Sequence, residues 1–121
     1  MAYDDTNVFA KILRGEIPCN KVYEDDHALA FHDIQPQAPT HVLVIPKGPY
    51  VSMDDFTRDA PAEAVAGFFK AIGTVARQLG MDRTGYRIVA NTGEDAHQEV
   101  MHFHVHIFAG RKLGPMIRRA P

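Results

Sequence analysis

The stretch "HFHVHIFAGR", His102 to Arg111, alternates histidine with apolar side chains over six residues. Successive side chains in a strand point to opposite faces. The stretch therefore predicts a strand with His102, His104 and His106 on one face and Phe103, Val105 and Ile107 turned to the core. Neighbouring histidines on that face would lie about 6.5 Å apart. Three readings fit such a face. It could be the polar, solvent-facing side of an edge strand, although Thr, Lys, Glu or Ser are the usual residues there. It could hold a metal, with His41, His97 or a carboxylate completing the ligand set. It could perform imidazole chemistry on an anionic substrate, with one neutral ring attacking phosphorus while its neighbours hydrogen-bond the phosphate oxygens.

Working outward, "THVLVIP" (residues 40–46) is a β-branched run closed by Pro46 and Gly48, a central strand by pattern. "NKVYED" and "ALAFHDI" read as a hairpin before it, and "GYRIVAN" as a further strand after it. Two helices are expected. In the first, Asp5 or Thr6 caps a turn where Val8, Phe9, Ile12 and Leu13 share a face and Gly15 stops the helix. In the second, Asp59 caps, Pro61 sits in the first turn and Gly80 ends it. Val65, Phe68, Phe69, Ile72, Val75, Ala76 and Leu79 recur between them at three and four. The order of elements suits an α+β fold with one mostly antiparallel sheet, and the 121 residues suit a single domain, 1–121.

Composition narrows the function. The chain is 45% hydrophobic and 23% charged, as globular proteins are, and its formal net charge of -2 offers no broad basic surface for a nucleic-acid polymer. No run approaches the ~20 apolar residues of a membrane span. The single cysteine, Cys19, cannot make an internal disulfide, which fits a reducing, cytoplasmic compartment. There is no glycine-rich phosphate loop and no paired acidic metal motif.

The run His102 to Phe108 has the form His-φ-His-φ-His-φ-φ, with φ apolar, and so resembles the signature of the histidine triad superfamily of nucleotide hydrolases and transferases. "FAKILRGEIP", "YEDDHALAFHDIQPQAPTHVLVIPK", "GYRIVAN", "HQEV" and "AGR" are similar to its Hint branch, the nucleoside phosphoramidases, in order from about Asn7 to Met116. The "FAGR" after the triad favours that branch over the fragile-histidine-triad branch, which usually shows Pro-Arg there.

The resemblance implies a metal-independent, cofactor-free hydrolase of purine nucleoside 5′-phosphoramidates. His104 is then the nucleophile, its second ring nitrogen held by a backbone carbonyl. His102 and His106 orient the site and contact the phosphate, and His41 is a fourth histidine on the neighbouring strand. Phosphate charge would be met by imidazolium, Asn91, Gln98 and backbone donors. Asp33 matches a ribose-binding carboxylate. Val8, Phe9, Ile12, Phe31, His32 and Ile34 match the base pocket, and Asn91, Gln98 and Glu99 match positions touching the phosphate or leaving group. The branch is homodimeric, with the C-terminus, here carrying Arg118 and Arg119, reaching toward the partner's site. Three departures stand out: His97 replaces a glycine, Glu99 stands where Ser or Thr is common, and Asn7 and Ala10 replace the cysteines of a structural zinc. A dinucleoside polyphosphate hydrolase and a nucleotide-binding regulatory protein with little turnover are the alternative functions.

Overall fold

A computed structural model describes residues 2–117. Helix α1 (Val8–Leu13) precedes strands β1 (Lys21–Glu24), β2 (Ala28–His32) and β3 (Thr40–Pro46). Helices α2 (Met53–Asp59) and α3 (Ala62–Gln78) follow, then a 3₁₀ turn (Met81–Arg83) and strands β4 (Arg87–Val89) and β5 (Val105–Ala109). The five strands form one antiparallel sheet in the order β1-β2-β3-β5-β4. The α+β expectation holds, and β3 takes the middle position that its composition predicts.

Alternation along the strands divides the core between the two faces of the sheet. Ala28, Ala30, Val42, Val44, Phe103, Val105 and Ile107 pack toward α2 and α3. On that side the rings of Phe56, Phe68 and Phe103 lie 5.0–5.3 Å apart, centroid to centroid. Burying each such ring stabilises the fold by about 1.5–3 kcal/mol. The other face carries Leu29, Phe31, Leu43 and Ile45 and is covered by Phe9 of α1. Both faces of β2 and β3 are therefore buried, which explains their unbroken apolar runs.

Three boundaries differ from expectation. Asn7, not Asp5 or Thr6, caps α1: its Oδ1 accepts from the Ala10 N–H at 2.9 Å, while Asp4 takes the backbone and hydroxyl of Thr6 one step earlier. The described residues form three α-helices rather than two. Ser52 and Asp55 form a capping box that starts α2, so Asp59 ends a helix instead of capping the next, and Pro61 itself holds the cap position of α3. The Ser-x-x-Asp spacing in "SMDD" carried that signal. Finally, β5 begins only at Val105 and β4 spans three residues, because the segment 91–104 between them turns away from the ladder. The end of β5 passes close to the start of β3. Gly110 has φ +101, and a Cβ there would meet Pro39 at 2.7 Å.

Candidate active site

The odd residues of β3 and the even residues at β5 face the α1 side of the sheet. His41, on β3, therefore shares a face with His104 and His106, and the pairing of Leu43 with His106 sets their stagger. Phe103, Val105 and Ile107 are buried on the opposite face, as alternation predicts.

The hydrogen-bond partners assign each tautomer. His104 Nδ1 lies 2.7 Å from the carbonyl oxygen of His102, so it carries the proton and donates it, leaving Nε2 bare. His41 Nδ1 accepts from the Gln37 N–H at 3.2 Å; its Nε2–H then donates to His106 Nδ1 at 2.9 Å. That makes Nε2 of His106 the protonated nitrogen, a donor available to a ligand. Asp33 presents Oδ2 at 3.5 Å from His41 Nε2, while its Oδ1 accepts from the Gln35 N–H at 2.8 Å. The His104 and His106 rings stand 5.1 Å apart in an edge contact, and Phe9 meets His104 edge-on at 5.0 Å.

His104, His106, Asp33 and Phe9 border a cavity of about 470 Å³, within the range of small-molecule sites, and His41 lies buried behind His106. Phe9, Ile12, Phe31 and Leu43 form an apolar wall; His104, His106, Asp33 and Asn91 form a polar one. Val8 and His32 also line it, and Val8 is partly exposed at its mouth. Ile34 also lines the cavity, at its rim, where the residue is 95% exposed. Sequence reasoning missed Cys19 and Asn20, which line the same hollow. It also missed Gln37, whose contribution is a backbone N–H with no side-chain signature.

Two expected phosphate contacts are corrected. His102 is fully buried and does not line this cavity. Its Nε2–H donates to the Pro46 carbonyl at 3.0 Å, and its Nδ1 lies 2.6 Å from the Tyr3 hydroxyl. Gln98 is buried as well. Its amide nitrogen donates to the carbonyls of Val51 and Val100 and its oxygen accepts from the Gly93 N–H, so it braces the loop rather than meeting a ligand. Beside it His97, at φ 59, and Glu99 lie exposed at the rim, paired with each other at 2.8 Å. Arg118 and Arg119 lie outside the described residues.

Burial sets the charge of the cluster. Removing imidazolium from water disfavours it, and this lowers all four pKa values: His41 and His104 fall below the ordinary value, and His102 and His106 fall to about 4. For His106 the neighbouring His104 and His41 add like-charge repulsion. All four shifts favour the neutral ring at pH 7, so an imidazolium to meet a phosphate would have to form as the anion binds. The chemistry left is a bare nucleophilic nitrogen on His104 beside an N–H donor on His106. Asp33, His41 and His106 also place three potential ligand atoms within 4.8 Å of one another, the one group of metal-ligating residues found among the described residues.

A family model, the HIT domain, matches residues 14–113. The chain is 66% identical over 117 residues to an uncharacterised 13.2 kDa HIT-like protein of Azospirillum brasilense, covering 97% of this chain and 96% of that one. It is 41% identical over 113 residues to the purine nucleoside phosphoramidase of Escherichia coli K12, covering 93% and 94%. Among solved structures, a histidine triad protein from Clostridium difficile superposes with a TM-score of 0.86 at 45% identity, covering 94% and 98%. A HIT family hydrolase from Legionella pneumophila superposes with a TM-score of 0.82 at 41% identity, covering 88% and 95%. A match across most of the sequence, joined to the same fold in solved relatives, means that this chain belongs to the HIT domain family.

Proposed function

We propose that the protein hydrolyses the P–N bond of purine nucleoside 5′-phosphoramidates through a nucleotidyl-histidine on His104. The observation that carries this reading is the His104 ring itself, with Nδ1–H held by a backbone carbonyl and a bare Nε2 at a cavity with one apolar and one polar wall. The 41% identity to a purine nucleoside phosphoramidase supports the choice of substrate.

In this reading the base lies against Phe9, Ile12 and Phe31, and Asp33 accepts from the ribose hydroxyls. His104 Nε2 attacks the α-phosphorus, the P–N bond breaks, and the departing amine takes a proton from the His41–His106 pair, which gains one from solvent when the anionic substrate binds and so returns to neutral. A water then attacks the phosphorus, the bond to His104 breaks, and the proton lost by that water returns to His106. His41, hydrogen-bonded to His106 Nδ1, shares that proton with it. Splitting the displacement in two replaces one difficult step with two easier ones. Asn91 completes the phosphate contacts, and Glu99 stays paired with His97 at the rim. No metal takes part, and the whole chain acts as one cytoplasmic domain.

The protein acts as a homodimer in this reading. Support comes from the sheet edge, where β4 exposes Ile88 beside Tyr86, a pattern that favours pairing with a second copy. Sedimentation velocity reads the mass directly.

The deciding experiment compares adenosine and guanosine phosphoramidates with diadenosine polyphosphate in chelator-containing buffer. Rapid acid-labile labelling of His104 by an α-phosphate-labelled phosphoramidate is expected. Faster cleavage of the polyphosphate, or activity abolished by chelator and restored by metal, overturns the assignment.

A further inference from the structure

We propose that Tyr3 is a positioning residue for this reaction, holding the His102–Phe103 peptide whose carbonyl fixes the tautomer of His104. The proposal rests on His104 being the nucleophile. It comes from a chain of hydrogen bonds in which every polarity is forced.

Asn7 Oδ1 accepts from the Ala10 N–H, so its Nδ2 is the atom facing Tyr3, donating to the hydroxyl at 3.1 Å. The Tyr3 oxygen thus accepts, and its own proton points at His102 Nδ1, 2.6 Å away. With Nδ1 bare, His102 carries its proton on Nε2, which suits the Pro46 carbonyl, a group that can only accept. The ring is clamped at both nitrogens and packs edge-on to Tyr3, centroids 5.6 Å apart.

The same residue's backbone does the work at the cavity. The His102 carbonyl accepts from His104 Nδ1–H at 2.7 Å. The other side of that peptide, the Phe103 N–H, donates to the Tyr50 carbonyl at 2.7 Å. Residues 102–104 lie before β5 begins, so no ladder holds them. The side-chain clamp on His102 takes the place of strand pairing. Tyr3 itself is tied down, since Asn7 Nδ2 also reaches the Asp4 carbonyl at 2.8 Å and Arg14 reaches the Asp5 carbonyl at 2.9 Å. An N-terminal residue on one side of His102 thereby sets how the nucleophile on the other side presents its bare nitrogen. Such outer partners tune the basicity and aim of an imidazole as the ligands of a metal site are tuned.

Tyr3→Phe removes one oxygen and keeps the ring contact, so the fold is expected to survive; thermal unfolding checks this. Two readouts are taken. Steady-state hydrolysis of adenosine phosphoramidate should show kcat reduced about three- to tenfold, the worth of one hydrogen bond, with KM changed less than about twofold. Nitrogen-15 spectra of the histidine rings, recorded without ligand, should show the His102 Nδ1 signal displaced and His104 no longer confined to the Nδ1–H tautomer. Both changes together sustain the proposal. Wild-type kcat in the variant, or lowered kcat with an unaltered His104 spectrum, overturns it. A wild-type protein that does not turn over at all overturns the functional reading instead, and is recognised by its failure before any substitution.

Discussion

Mild acid is expected to destabilise this protein before its carboxylates titrate. His102 is fully buried with a pKa of about 4, against about 6.5 in an unfolded chain. Between those values the unfolded state binds a proton that the folded state refuses, so stability rises with pH. The stabilising contribution is complete above the unfolded value and is progressively lost as pH falls toward 4. Going from pH 7 to pH 5, His102 alone costs about 2 kcal/mol of stability. His106, also lowered to about 4, acts in the same direction. Since domains have only about 5–15 kcal/mol of net stability, the effect is large. Urea unfolding at pH 7, 6 and 5 measures it, with His102→Gln as the control whose pH slope should flatten. A loss under about 1 kcal/mol over that interval, or an identical slope in the variant, refutes the reasoning.

Three further outcomes follow from the geometry. His104→Gly should lower turnover at least about a thousandfold while nucleotide affinity, measured by calorimetry, stays nearly constant, because the nucleophile goes and the pocket walls remain. Asp33→Ala should raise KM for nucleoside phosphoramidates about tenfold and leave ribose-free phosphoramidates unchanged, each lost hydroxyl contact being worth about 0.5–1.5 kcal/mol. His97→Gly should stabilise the protein by up to about 1 kcal/mol in thermal unfolding, since φ 59 strains a side chain, and the exposed pair with Glu99 that it gives up is worth little.

The sheet was legible because its strands are written in one code. Alternation in "HFHVHIF" told which residues enter the core, and the β-branched "VLVI" told which strand lies in the middle. The site was legible as far as its side chains carry the chemistry: His104, His106, Asp33 and the apolar wall from Phe9 to Phe31 do gather round one cavity, and His41 stands behind His106, hydrogen-bonded to it. What escaped has a common cause. The grip of Gln37 and Pro46 is backbone chemistry, which any residue could supply; the carbonyl on His104 was expected from the family resemblance alone. The separation of His102 from its two partners follows from where β5 begins, and alternation alone does not mark a strand's first residue. Gln98 shows the same limit. A polar side chain in a loop reads alike whether it meets a ligand or its own backbone, and only the carbonyls of Val51 and Val100 settle which.

A cluster of neutral rings beside the proposed phosphate position poses a problem that the geometry resolves. A buried imidazolium would attract the anion but would remove the nucleophile if the proton sat on His104. Burial keeps the nitrogen of His104 bare, and it leaves the cluster without charge of its own. A bound monoanion supplies the missing term, because an opposite charge nearby favours the protonated ring. The pKa of His106, about 4 without ligand, must rise on binding, and the His41 ring beside it shares the proton. His104 is held back, since a second charge 5.1 Å away, ring to ring, is repelled. Binding should therefore take up a proton between about pH 4 and pH 6, a window set by the unliganded value of His106 and the ordinary histidine value. Calorimetric titration with a nucleoside 5′-phosphate methyl ester, itself a monoanion throughout, in two buffers of different ionisation heat reads that uptake. Identical binding heats in the two buffers at pH 5 would show that the anion is held by neutral donors alone, and that the proton for the leaving amine does not arrive with the substrate.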